Sequence, residues 1–261
     1  MRSLNIAATG MLAQQLNVEV ISNNIANMNT TAFKRQRAEF QDLLYQDERR
    51  VGSSSSDTGT IVPAGVQIGV GVKTAAVYRI IEQGNLVSTD NTYDVAIQGK
   101  GFFKITLPSG DTAYSRAGSF QLSPTGIIVT ADGYQVTPAI TIPPDAVNVT
   151  INSSGEVLVK TQGNVTPQNV GQFQLVTFAN EAGLEPVGDN LFLETPASGT
   201  ATSGTPGKSG VGTILQGFLE TSNVNVVQEI TNLITAQRAY EMNSKVIESS
   251  DEMMRTLTQL R

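Results

Sequence analysis

LNIAATGMLAQQLNVEVISNNIANM, residues 4–28, is the stretch that decides the fold. Leu4, Ala7, Met11, Gln14, Val18, Ile21, Ile25 and Met28 recur three and four apart, and all but Gln14 are apolar. That spacing lays a stripe along one side of a helix, in the heptad manner of helices that pair. Asn5, Gln15, Asn17, Glu19, Ser22 and Asn23 fall on the other side. Asparagine competes with helical hydrogen bonding, so the run Asn23–Thr30 is expected to end the helix.

The C-terminal segment has the matching pattern. No Gly or Pro interrupts Ser222 to Leu260. Val226, Ile230, Leu233, Gln237, Tyr240, Ser244 and Ile247 form one stripe, and Val246, Met253, Leu257 and Leu260 a second beside it. Ser222 or Asn223 is expected to cap this helix. At 1.5 Å per residue it would reach roughly 55–60 Å, longer than a small domain requires. One apolar stripe returns less than ordering the backbone costs, so each helix needs partners. An intramolecular helical hairpin would supply one partner, and copies of the same chain would supply more. The second C-terminal stripe and the placement of both helices at the extreme termini favour copies.

Everything between the helices reads as β. Val66, Ile68, Val70 and Val72 alternate with Gln67, Gly69, Gly71 and Lys73, the period of a strand. Its two glycines permit close approach by another backbone. From about Ala76 to Thr221, turn signals such as Ser109-Gly110-Asp111, Asp132-Gly133 and Ser154-Gly155 separate short apolar runs, the pattern of an antiparallel body. The expected class is α+β: N- and C-terminal helices in a coiled-coil-like pair around a central, mostly antiparallel β-domain. Residues 1–35 and 223–261 are assigned to the helical core, 36–75 and 212–222 to a connecting segment, and 76–211 to the β-rich domain. Gly52–Ser56 within the connector reads as a loop.

Composition removes several functions. The formal net charge is −6, against nucleic acid as a partner, because phosphate neutralisation needs a basic face. Lys34-Arg35-Gln36-Arg37 and Arg49-Arg50 are the concentrated basic spots, read as solvated or intersubunit patches. With no Cys and no His, the common zinc sites, Cys nucleophiles and His-based triads are excluded. Gly207-Lys208-Ser209 resembles the end of a phosphate loop, but Thr202 stands where the earlier glycine belongs. No cofactor, no metal and no membrane insertion are expected, and Met1–Leu16 lacks the apolar core of a cleavable signal. Aromatics make up 6% of the chain and Trp is absent, so several thin layers are expected rather than one dense core.

Several motifs then match a known family. Ile21-Ser22-Asn23-Asn24-Ile25-Ala26-Asn27-Met28-Asn29-Thr30 resembles the Asn-rich signature of bacterial flagellar axial proteins, the rod and hook subunits. Phe33–Arg37 and Phe40–Gln46 continue the match, most like the distal-rod members. Gly99–Phe103 and Tyr114–Phe120 resemble the family's β-domain, and Leu219–Asn225 and Gln237–Glu241 its C-terminal signature.

The resemblance implies a helical homopolymer, a hollow drive shaft whose inner wall is the paired termini. It implies proximal rod proteins, hook protein and P-ring and L-ring proteins as partners, and passage through the flagellar type III export apparatus without a cleaved signal. Residues expected to carry self-assembly are Leu4, Met11, Val18, Ile21, Asn23, Asn24, Ile25, Asn27, Val226, Ile230, Leu233, Gln237, Tyr240, Ile247, Met254 and Leu257. Gln46, Gly52, Ser53, Val66, Ile68 and Val70 are expected to form a rod-specific segment. The family has Gly where this chain has Ala32. If that position has positive φ, Ala is strained by about 1 kcal/mol. A proximal rod or hook subunit is the alternative within the family. A rod-associated cell-wall hydrolase is the alternative of another class, and it lacks a convergent polar cluster in the sequence.

Overall fold

The computed structural model describes residues 2–49, 65–163, 166–208 and 210–259. The chain divides into two compact units. The first comprises Met1–Ala26, Gln36–Tyr78 and Asn225–Arg261, and the second Asn27–Arg35 and Arg79–Val224. The segment assigned to a connector, 36–75, thus groups with the helices, while 27–35 groups with the β-rich part.

The helical unit contains α1 (Arg2–Ala26) and α2 (Val226–Gln259). They pack antiparallel: Ser3 meets Ser250, Gly10 meets Asn243 and Asn24 meets Glu229. Asn225, not Ser222 or Asn223, caps α2, its Oδ1 accepting from the Gln228 N–H at 3.2 Å. This satisfies one of the four N–H groups that a helix start leaves without an internal partner. Strand Gln36–Asp42 pairs with strand Val72–Arg79, and Tyr45–Arg49 pairs antiparallel with Val66–Gly69.

The alternating run expected as one strand is broken at Val70-Gly71. Gly71 has φ 127°, and a Cβ there would stand 2.2 Å from the Thr9 hydroxyl. Thr9 Oγ1 donates to Ile6 O and accepts from the Val72 N–H. A bare backbone at residue 71 therefore lets α1 dock on the strand.

The β unit is antiparallel throughout its paired strands. Its largest sheet has nine strands, with Phe102–Thr106 near the middle, beside Thr112–Ser115, Gln135–Thr137 and Leu175–Thr177. A three-stranded sheet is built from Ala146–Ile151, Glu156–Thr161 and Gln168–Gln172. Successive strand residues face opposite ways, so Phe102 and Phe103 enter different cores. Phe103 packs edge-on to Phe120, ring centres 5.1 Å apart, with Phe173, Ile97 and Leu175 around them. Phe102 joins Tyr114, Phe178 and Phe192. The few aromatics are thus divided between layers, as the composition suggested. Among the described residues no helix is long and apolar enough to cross a membrane.

Candidate assembly surfaces

In the helical unit the inner seam is made of small and polar side chains. Along α1 the contact residues Ser3, Gly10 and Asn24 fall at heptad spacing, and along α2 their partners are Ser250, Asn243 and Glu229. The same register places Asn17 opposite Ala236, which is buried. Gly10 sits so close to Asn243 that a Cβ would lie 2.8 Å from its amide nitrogen.

The expected stripe is therefore rotated by one residue. Ala7 and Ile21 are buried with Ala13 and Val20, whereas Leu4, Met11, Val18 and Ile25 are half-buried flanks. Asn23 is exposed and Asn27 is half-buried in the β unit. On α2, Val226, Leu233 and Ile247 are half-buried. Glu229, Ala236 and Ser250 take the buried positions expected of Ile230, Gln237 and the second stripe. Ile230, Gln237, Tyr240 and Met254 are exposed. Counting apolar residues misses this because small side chains permit the close backbone approach that fixes the register, and large ones are displaced to the flanks.

The consequence is a helix pair with much apolar surface left over. On α2, Val227 is 76% exposed, Ile230 45%, Ile234 46%, Met242 65%, Val246 46% and Met253 58%; on α1, Leu12 is 67% exposed. Val227, Ile230 and Ile234 share one side of α2 at i, i+3, i+7. Met242, Val246 and Met253 share another at i, i+4, i+11. A helix turns 100° per residue, and by that angle the first group lies nearly opposite the buried line and the second about a quarter turn from it, the two groups being roughly 105° apart.

Asn24 closes the seam at the end of α1. It is 1% exposed, its Nδ2 donates to Gln36 O at 2.8 Å, and its Oδ1 accepts from Gln36 N–H at 2.8 Å. Asn24→Ala removes both and leaves the part-buried N–H and C=O of Gln36 without that partner. We expect a loss of about 2–3 kcal/mol, read as a shift of the urea midpoint of the 222 nm helix signal. An unshifted midpoint would mean that the amide is satisfied otherwise.

Of the segment expected to be rod-specific, Gln46 stands opposite Ile68 in the paired ribbon, Val66 opposite Arg49, and Val70 is half-buried just beyond it. Gly52, Ser53 and the Leu257 side chain lie outside the described residues.

The β unit contains an ionic cluster that the sequence reading did not single out. Glu220, with no exposed side chain, receives Lys34 Nζ on Oε1 and Arg116 Nε on Oε2 at 2.9 Å. Gly84 N–H also donates to Oε1 at 2.8 Å. The rest of Arg116 donates to Gly99 O and Gly101 O, and Lys34 to Glu82 O. Lys34 is thus a buried anchor rather than part of a solvated basic patch, while Arg37 beyond it stays exposed. Burial pulls the Lys34 ammonium down; Glu220 draws it back up and Arg116 pushes it down again, leaving it below the ordinary 10.5.

Asn223 completes this cluster. Its N–H donates to Phe33 O, its Oδ1 accepts from Arg35 N–H at 2.7 Å, and its Nδ2 reaches Ile80 O and Glu82 O. Ala32, at φ 56°, donates its N–H to Glu220 O. Position 32 thus has the positive φ on which the strain depends. The strain of about 1 kcal/mol is set against a buried methyl worth about 0.8 kcal/mol, so Ala is tolerated. The one clue in the sequence was that Lys34, Arg116, Glu220 and Asn223 all lie inside the quoted motifs.

Fold and surfaces define a structural subunit: a β body with a buried ionic anchor, and a helical hairpin whose large apolar residues face outward. Three family models match in chain order. These are flagella basal body rod protein over residues 4–34, flagellar hook protein FlgE/F/G D1 domain over 96–159, and flagellar basal body rod FlgEFG protein C-terminal over 215–260. Each contributes one residue of the ionic trio. The chain is 63% identical to the flagellar basal-body rod protein FlgG of Caulobacter vibrioides over 261 residues, the whole of both chains. It is 55% identical to that of Agrobacterium fabrum over 253 residues, 97% of each. It is 41% identical to that of Bacillus subtilis over 268 residues, 100% of this chain and 99% of the relative. The chain belongs to the flagellar basal-body rod protein FlgG family, and its role is structural, not enzymatic.

Proposed function

We propose that this chain is a distal-rod subunit that polymerises helically through its terminal helices into a hollow, torque-bearing shaft. The observation that carries this is the apolar surface of α2 outside its seam with α1, from Val227 at 76% exposure to Met253 at 58%. Soluble proteins rarely leave contiguous apolar surface of this kind to water. Two different groups on separate faces make head-to-tail contacts, which build open helices or rings rather than a closed two-fold dimer. Supercoiling of α1 and α2 with copies of themselves belongs to the same proposal, and so do the assembly roles of Leu4, Met11, Val18, Ile25, Ile230, Tyr240 and Met254. Full-length similarity to proteins named for the basal-body rod supports the location. In that setting the partners are proximal rod proteins below, hook protein above, and P-ring and L-ring proteins around the shaft. The shaft spans the periplasm, and its subunits leave through the flagellar type III export apparatus without cleavage of the N-terminus. The ribbon carrying Gln46, Val66 and Ile68 contributes a rod-specific contact.

Removing residues 2–26 or 225–261 is expected to leave a soluble β unit that forms no tubes by electron microscopy. Tubes from either truncated chain would overturn the proposal.

A further inference from the structure

The β unit has a cleft of about 210 Å³ lined by Phe33, Lys34, Arg79, Asn190, Leu191 and Phe192, among others. Arg79 lies on it half-buried, its guanidinium carbon 5.8 Å from the centre of the Phe192 ring. Among the described residues no carboxylate lies within ion-pair distance of Arg79, although the chain as a whole is acidic. Burial alone holds Arg79 below its ordinary value, with no carboxylate pulling it back. Lys34, which also lines the cleft, shares the carboxylate of Glu220 with Arg116. Asp189 also lines the cleft, in the turn between the paired strands Glu185–Gly188 and Leu191–Leu193, where it and Asn190 have φ 51° and 57°. A half-buried guanidinium over a ring, with no carboxylate in ion-pair reach among the described residues, is set to take a carboxylate in its fork.

We propose that this cleft is a socket for a carboxylate on an exposed turn of a second copy of the chain. This rests on the polymer reading above. The volume fits a side chain with part of its turn, not a helix or a strand pair. The β unit itself presents such turns, with Asp111 and Asp132 exposed. The contact would join β unit to β unit, independently of the apolar flanks of the helices, and would add orientation through the bidentate geometry of arginine.

The test uses the full chain, with wild type, Arg79→Lys, Arg79→Gln and Arg79→Glu assembled side by side and pelleted. Arg79→Gln is expected to raise the unassembled concentration about tenfold and Arg79→Glu further, with Arg79→Lys between. The monomer's melting midpoint should stay within about 2 °C of wild type. A photo-crosslinker at Asn190 should join the cleft to a peptide of another copy that contains Asp or Glu. Assembly of Arg79→Glu at the wild-type concentration would overturn the socket, as would cross-links confined to one chain or losses that track a lowered melting midpoint. Failure of the wild type itself to assemble would instead strike the polymer reading.

Discussion

Glu220→Ala is expected to destabilise the β unit by roughly 3–5 kcal/mol, the range found when one partner of a buried ion pair is removed. The carboxylate is shared: Lys34 and Arg116 both bond to it, and the Gly84 N–H depends on it. Without it two cations face each other inside the protein, left to the carbonyls of Glu82, Gly99 and Gly101. Lys34→Met should behave differently. It leaves the Glu220–Arg116 pair intact and puts an apolar side chain of similar length into a buried slot, so a change within about 1 kcal/mol is expected. Hydrogen exchange of the Phe102–Thr106 amides under urea reads both. Equal loss from the two variants would mean that the trio acts as one unit, and no loss from Glu220→Ala would mean that it anchors nothing.

The second large effect is on assembly. Ile230 and Ile234 are each nearly half exposed on α2. Burial of a large aliphatic side chain contributes about 1.5–3 kcal/mol, and even half of that, lost at each of two positions, is a tenfold change or more. An Asp at either position also places a charge where a neighbour's apolar side chain would sit. Ile230→Asp with Ile234→Asp is expected to raise the concentration needed for polymerisation at least about a hundredfold. The helix content of the monomer should hardly change, because neither residue lies in the seam. Polymerisation at the wild-type concentration would remove this face of α2 from the assembly.

The elements themselves were legible in the sequence. Period marked both terminal helices, though α2 is capped by Asn225 rather than Ser222 or Asn223, and turn signals marked the antiparallel body between them. The face of each helix was not. A heptad count weights Leu4, Met11, Val18 and Ile25, but the register is set one residue earlier, where Gly10 admits Asn243 and Asn24 meets Glu229. Close approach depends on what is missing from a side chain, and hydropathy does not record that. The ionic anchor was hidden for another reason. Lys34 and Glu220 are separated by 186 positions, and nothing local distinguishes a lysine that will be buried from its exposed neighbour Arg37. Only the motifs around Lys34, Arg116 and Glu220 marked those places, without saying that they meet. Residues 27–35, which include Lys34, group with the β unit and not with the helix that precedes them.

The central claim is that the apolar flanks of α2 are covered by neighbouring copies. Electron cryomicroscopy of filaments grown from the purified chain tests it most directly. The account predicts that Val227, Ile230 and Ile234 pack on the helices of one neighbour, and Met242, Val246 and Met253 on those of another. A filament held by β units alone, with these side chains facing water, would contradict it.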